Sequence, residues 1–158
     1  PHFFLNEPPP PDTNTSIFVG RACCLKATAH DPAAAALRAA AQTGSVVLLK
    51  GSATHVATPD GSVRLVASSA TPWLAAAGAG DVLGGVLGAL VAARQGAAEA
   101  TGSSLSPSDL AHLAASAAVV HGIAARRASG GGPFTMAALV EQLPGVVRDL
   151  VVEGDARG

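Results

Sequence analysis

Gly78-Ala79-Gly80-Asp81 runs without a break into Val82, Leu83, Val86, Leu87, Leu90 and Val91, apolar residues at helical spacing. No other junction restricts the chain as much. Glycines allow a sharp turn and let a ligand approach bare backbone. The first turn of the helix that follows, expected from Gly80 to about Gln95, has N–H groups without intrahelical partners, and the macrodipole adds positive potential there. Together these make a place for a phosphate. Asp81 lies on that first turn, where a carboxylate is electrostatically favoured and can orient, or take a proton from, a hydroxyl attacking a terminal phosphoryl group. Taken alone, the pattern also fits an aspartate capping an ordinary helix. It is not the dinucleotide fingerprint, which needs a strand directly before it and a third glycine in the first helical turn; Gly84 and Gly85 come too late. A phosphate loop of the Gly-Lys-Ser/Thr kind is absent. Gly84, Gly85 and Gly88 are expected to let this helix pack closely on its neighbours.

A second element strengthens the first. Val46-Val47-Leu48-Leu49 leaves no face for water and reads as a buried strand of the parallel-sheet kind. Lys50-Gly51-Ser52-Ala53-Thr54 leaves that strand as a turn, and open α/β sheets bind ligands at the carboxyl ends of their strands. Lys50 can meet a phosphate as a point charge, and Thr54 can donate a hydroxyl to phosphate or ribose. The plain alternative is a solvated lysine at a strand end.

The remaining elements fall around these two. Asp31 caps and Pro32 opens a helix over Ala33 to Gln42 that stops before Gly44. His55 to Thr58 and Ser62 to Val66 flank Pro59-Asp60-Gly61 as a hairpin. A loop from 67 to 77 carries Pro72 and Trp73, and a second loop fills 96 to 106. A helix from about Asp109 to Arg127 has Leu110, Leu113, Ala117, Val120 and Ile123 as its apolar stripe and ends at Gly130-Gly131-Gly132-Pro133. Thr135 caps a short helix through Leu143, and 146 to 152 is a closing strand or helical turn. Residues 1–30, with prolines at positions 8 to 11, are an irregular lead-in, and 153–158 are expected to fray. Residues 31–152 thus read as one flank of an α/β sandwich, the C-terminal portion of a larger sheet domain.

Hydrophobic residues at 49% and charged ones at 13% place the chain among globular proteins. Aromatics at 3% leave a core of alanine and valine, which requires closely packed helices. A formal charge of -1 provides no broad field for nucleic acid or anionic membrane, and no 18-residue apolar run suggests a membrane span. Arg126 and Arg127, the only adjacent basic pair, belong on a solvated helix face. Cys23 and Cys24 are sequence neighbours without metal-ligand spacing, which points to a reduced, cytoplasmic protein. His112 and His121 share a helix but not metal-pair spacing, so each is read as a surface or core residue. No metal site is expected. His55 is read as solvent-facing and Trp73 as packing beneath the glycine loop.

The two elements in combination carry a narrower resemblance. Val46-Val47-Leu48-Leu49-Lys50-Gly51-x-x-Thr54, a hairpin, and then Pro72-x-Leu74-Ala75-x-Ala77-Gly78-x-Gly80-Asp81-Val82-Leu83-x-Gly85 resemble the nucleotide-dependent NAD(P)H-hydrate dehydratases of the ribokinase-like superfamily. The likeness extends from about Asp31 to Leu143. It implies a ribokinase-like three-layer α/β/α sandwich, of which this chain is the C-terminal portion. It also implies a lyase that phosphorylates the hydroxyl of hydrated NADH or NADPH, using ADP or ATP with Mg2+, and then eliminates phosphate. Lys50, Gly51, Ser52, Ala53, Thr54, Gly78 and Gly80 would bind the adenine nucleotide. Asp81 would contact the hydrated nicotinamide and act as base. His2 would stand for the substrate-approaching segment of the family, whose further residues are not matched by Phe3 to Glu7. Ala70-Thr71 replaces the Gly-Asn usual before the proline, and Ala76 and Ala79 replace usual hydroxyl residues. The resemblance implies a homo-oligomer and a fused or separate NAD(P)H-hydrate epimerase as partner. A small-molecule kinase of the same superfamily and a truncated, non-catalytic nucleotide-binding protein are the alternatives.

Overall fold

The structure, a computed structural model, describes residues 31–156. The readings placed on residues 1–30, including His2, Cys23 and Cys24, lie outside the described residues. Helix α1 (Pro32–Thr43) begins where Asp31 accepts the Ala34 N–H at 3.0 Å and ends at Gly44 with φ 64°. Strands β1 (Val47–Leu49), β2 (Thr54–Ala57) and β3 (Arg64–Ala67) form an antiparallel sheet in that order, with Leu49 opposite His55 and Thr54 opposite Ala67.

The pairing of β1 corrects the parallel-type expectation. The aliphatic run does have both faces covered. Val47 and Leu49 lie on Ala36 and Ala40 of α1, while Val46 and Leu48 turn to the opposite cluster of Val56, Leu83, Leu87 and Ala111. Yet β1 is an outer strand among the described residues and stays half-buried. Apolarity on two faces reports two covering layers; it does not encode the direction of the neighbouring strand.

The β2–β3 turn is held by Asp60, whose Oδ1 accepts the Thr58 hydroxyl at 2.6 Å, the Ser62 hydroxyl at 2.8 Å and the Ser62 N–H at 3.1 Å. These bonds, the Thr58 one foremost, lower the carboxyl pKa to about 2. After a single 3-10 turn at Pro72–Leu74 comes helix α2 (Ala79–Ala100), followed by α3 (Pro107–Ser129) and α4 (Met136–Asp155).

Two helices are longer than the sequence suggested. Gly96 does not stop α2: the run Ala97-Ala98-Glu99-Ala100 continues it, and Gln95 donates to Glu99 one turn on at 2.9 Å. Helix α4 starts at Thr135, whose hydroxyl accepts the Ala138 N–H at 3.2 Å, but it passes through Pro144 to Asp155. Proline removes one helical hydrogen bond, to the Val140 carbonyl. Burial of Leu139 and Val146, both 0% exposed, holds the helix on α3 on either side of that break. The segment from 146 to 152 is therefore helix, and residues 153 to 155 continue it.

Helix α3 is central. A capping box of Ser106 and Asp109 opens it, and its bonds hold the Asp109 carboxyl pKa below the ordinary value. It packs on α2, α4 and the sheet through Ala111, Ala114, Ala117, Ala118, Val120, His121, Gly122, Ala124 and Ala125. The expected stripe is thus displaced: Ala117 and Val120 are buried, whereas Leu110, Leu113 and Ile123 are only half-buried. Small side chains face inward because neighbours approach closely, and the branched ones fill the margins.

The packing role given to Gly85 and Gly88 is also corrected. A Cβ on either would meet nothing within 4 Å. The close-packing glycine is Gly122 on α3, whose Cβ would lie 2.7 Å from the Ser69 carbonyl carbon and 2.9 Å from the Ala70 nitrogen.

Candidate functional site

At the start of α2, Gly78 takes the left-handed conformation with φ 83° and occupies the N-cap position without a side-chain cap. Its carbonyl accepts the Val82 N–H at 3.1 Å, and the Ala79 N–H is bonded to Ala76. The N–H groups of Gly80 and Asp81 have no backbone acceptor among the described residues. Both residues are exposed, and a Cβ on Gly80 would find open space. An anion can therefore reach two donors at the positive end of a 22-residue helix, with the Asp81 carboxylate on the same turn.

Ala79 lies between these exposed groups but is itself 1% exposed and packs with Leu74, Val120 and Ala124. This contact fixes the first turn of α2 on the middle of α3. Beside it lies His121, 2% exposed, whose Nε2 has no hydrogen-bond partner. Burial holds the His121 imidazole pKa below its ordinary range; the Lys50 ammonium acts in the same direction and a backbone hydrogen bond with Ala79 opposes them. The same ring thus senses the lysine at the end of β1 and the backbone of the glycine turn. Val120 and Ala124, which flank His121 on α3, pack on Ala79 of the glycine turn.

Lys50, Gly51 and Ser52 are exposed in the β1–β2 turn, and Ala53 is half-buried. The turn is tight at Gly51, where a Cβ would lie 3.2 Å from the Ala53 carbonyl oxygen. Thr54 begins β2 and is 6% exposed. It lies on the same side of the strand as Val56, the side that faces α2 and α3. Lys50 and Asp81 form no ion pair with each other or with another described residue.

Several single-residue readings change. His55 does not face solvent: it is half-buried beside Ala33 and Ala36 of α1, and its buried Nδ1 has no partner. It stands on the sheet face opposite Val56, away from the glycine turn. Trp73 is not beneath the glycine loop. It is 47% exposed, donates from Nε1 to the Gly131 carbonyl at 3.2 Å, and borders a hollow of about 360 Å3 with Thr71, Arg126 and Ser129. The indole needs a partner for its N–H, and the glycine-rich end of α3 supplies a free carbonyl. His112 is at the surface with Nδ1 2.7 Å from the Ser108 carbonyl. Arg126 and Arg127 are exposed, and Arg127 pairs with Asp149 of α4 at 2.8 Å.

His121, read as a surface or core residue, lies in the core. The available signal was its register. Positions 117, 118, 121, 124 and 125 form one helical stripe, and histidine is the only polar member of it.

Among the described residues no cluster of three His, Cys, Asp or Glu side chains can hold a metal, and no helix is long and apolar enough to cross a membrane.

A family model described as NAD(P)H-hydrate dehydratase matches residues 21–141. The chain is 53% identical over 57 residues to the bifunctional NAD(P)H-hydrate repair enzyme Nnr of Mycobacterium leprae, covering 36% of this chain and 12% of that protein. It is 47% identical over 62 residues to the ADP-dependent (S)-NAD(P)H-hydrate dehydratase of Neisseria meningitidis serogroup B, covering 39% of this chain and 21% of that one. The matched stretches thus span between about an eighth and about a fifth of these two relatives' own length. No solved structure matches the chain.

Proposed function

The chain belongs to the NAD(P)H-hydrate dehydratase family, and on that premise we propose that it forms part of an enzyme that removes water from hydrated NADH or NADPH with the help of an adenine nucleotide. In the first step the substrate hydroxyl attacks the terminal phosphorus of ADP or ATP. The O–H proton passes to the Asp81 carboxylate, and AMP or ADP leaves. In the second step the C–O bond breaks with loss of inorganic phosphate, a proton leaves the adjacent ring carbon, and the double bond returns. Phosphorylation thus converts a poor leaving group, hydroxide, into a good one. No redox change occurs, and the overall reaction class is a hydro-lyase.

One observation supports this reading above the rest: the N–H groups of Gly80 and Asp81 stand exposed and without backbone acceptors among the described residues at the start of α2, with the Asp81 carboxylate on the same turn. Lys50, with the backbone of Gly51, Ser52 and Ala53, the Thr54 hydroxyl, Gly78 and Gly80, would hold the nucleotide. Asp81 would hold the substrate hydroxyl. The donor set fits Mg2+ only as an ion carried by the nucleotide's phosphates, since a lone carboxylate stands at the turn and no protein cage surrounds it. When bound, that ion would offset phosphate charge during transfer. A place in a ribokinase-like three-layer sandwich is part of the same reading, supported by α1 on one sheet face and α2 and α3 on the other. So are a homo-oligomer, a cytoplasmic location and an NAD(P)H-hydrate epimerase partner; the last is supported by the word bifunctional in the mycobacterial relative's name.

The test uses the full-length protein with hydrated NADH and either ADP or ATP, following recovery of reduced-nicotinamide absorbance and release of phosphate. Asp81→Asn is expected to abolish turnover and leave most nucleotide affinity. Normal turnover by that variant would remove Asp81 from the chemistry. A phosphorylated product that accumulates without elimination would make the protein a small-molecule kinase instead.

A further inference from the structure

His121 is the one polar side chain in the buried α3 stripe that packs on the first turn of α2. It is 2% exposed, its Nε2 has no partner, and it sits in the α3 stripe that packs on Ala79. A buried ring nitrogen without a partner loses its hydration with no hydrogen bond in return. An apolar residue of similar size would avoid that loss, so the imidazole is not explained by packing alone. The residue after it is Gly122, pressed against the Ser69–Ala70 backbone, and Ser69 Oγ lies 3.3 Å from both the Ala118 and Val119 carbonyl oxygens. This part of α3 is therefore fixed in place, and His121 with it.

We propose that His121 is a positioning residue of the nucleotide site, holding the first turn of α2 in place on α3, with its buried Nε2 satisfied through the bound nucleotide. The proposal rests on the reading of the site as a nucleotide site. In the free protein the ring bears on the Ala79 backbone and lies within the field of Lys50. A nucleotide phosphate entering between the two draws Lys50 toward itself and completes the coordination of the donors above the ring. His121 touches neither the transferred phosphoryl group nor the substrate hydroxyl. Its effect is on the geometry of the groups that do.

The experiment labels the full-length protein with 15N-histidine and follows the imidazole nitrogens by long-range 1H–15N spectroscopy during an ADP titration. The His121 Nε2 resonance, assigned by its loss in His121→Asn, is expected to move with the same saturation curve as ADP binding. His121→Phe keeps a planar aromatic ring, somewhat larger than the imidazole, and removes both nitrogens. It is expected to stay folded and to bind ADP several-fold more weakly, because the Nε2 contact with the nucleotide is lost, while kcat at saturating ADP falls by about 100-fold, the scale of a displacement near 1 Å at a reacting group. His121→Asn keeps one donor in the ring's place and is expected to recover part of that loss. A purely structural histidine would change the melting temperature and leave kcat and the Nε2 shift alone. ADP saturation with an unmoved Nε2, or full kcat in folded His121→Phe, overturns the proposal while leaving the site reading intact. Absence of any ADP binding by the unaltered protein overturns the site reading itself.

Discussion

Gly122→Ala should be among the most destabilising single-methyl changes in the described core, and its size can be worked from the contact. The added carbon would stand 2.7 Å from the Ser69 carbonyl carbon and 2.9 Å from the Ala70 nitrogen, and it would press on Ser69 Oγ as well. Ordinary carbon–carbon contact begins near 3.5 Å, so α3 and the 69–70 backbone must separate by roughly 0.7 Å or more. Two of the three obstructing atoms are main chain and cannot rotate away. Overpacking of this kind costs about 1–3 kcal/mol, and the rigid neighbours place it toward the upper end. Loss of the Ser69 contacts with Ala118 and Val119 adds about 1 kcal/mol. Replacing a helical glycine with alanine returns up to about 1 kcal/mol. The net is a loss of about 2 kcal/mol. Urea denaturation, with a slope of about 1–3 kcal/mol per molar, should show the midpoint lowered by about 1 M. Gly85→Ala provides the opposite control: its Cβ meets nothing within 4 Å, so it should stabilise by about 0.5–1 kcal/mol. A Gly122→Ala midpoint equal to or above that of the unaltered protein would refute the contact argument.

Three further outcomes follow from the site. Gly78→Ala forces a Cβ into φ 83° with Met136 Cγ 3.2 Å away, and should lose about 1–2 kcal/mol in the same urea assay, with weaker ADP binding by calorimetry. Lys50→Met removes the exposed ammonium at the strand end and should weaken ADP binding by about tenfold or more, the scale of one charge-assisted hydrogen bond, with little change in melting temperature. Stability should also depend on pH through His121. Its folded pKa is depressed by burial below the ordinary imidazole value of 6.5, so the neutral ring's contribution is complete above that pH. As pH falls below about 6.5 the unfolded chain takes up the proton first, and stability declines toward the lower folded pKa. His121→Phe should flatten that part of a melting-temperature profile from pH 7.5 to 5, and an unchanged slope would count against the assignment.

How much of this was legible depended on whether a feature was local. Asp31, Pro32 and Gly44 bounded α1 correctly because a cap, a proline and a left-handed glycine each act within one turn. The glycine turn before α2 was legible for the same reason, as was the hairpin around Asp60. The direction of the strand beside β1 was not, because Val46-Val47-Leu48-Leu49 reports only that two faces are covered. The end of α2 was set by the helix-forming run after Gly96, and that of α4 by burial on either side of Pro144, each outweighing a local stop signal. Gly85 and Gly88, falling too late in α2 for a dinucleotide pattern, were given the packing role that belongs to Gly122. A glycine is needed for packing only where another backbone arrives, and that backbone is 52 residues away at Ala70.

His121 was hidden for a related reason, and it alters where the site should be located in the fold. The residues legible as chemistry, Lys50 and Asp81, lie on an exposed turn and an exposed helix end, neither of which can hold the other in place. What they share is α3. Ala79 packs on it beside His121, the sheet that leads to Lys50 packs on it through Val56 and Leu48, and Gly122 fixes its height over the segment leading to the glycine turn. With alanine as the usual inward side chain, α3 has few long side chains that can re-pack to absorb a displacement. A shift of α3 is therefore passed to the first turn of α2. Substitutions at 121 and 122 should consequently act on turnover as changes at the glycine turn do, although neither side chain touches a reactant.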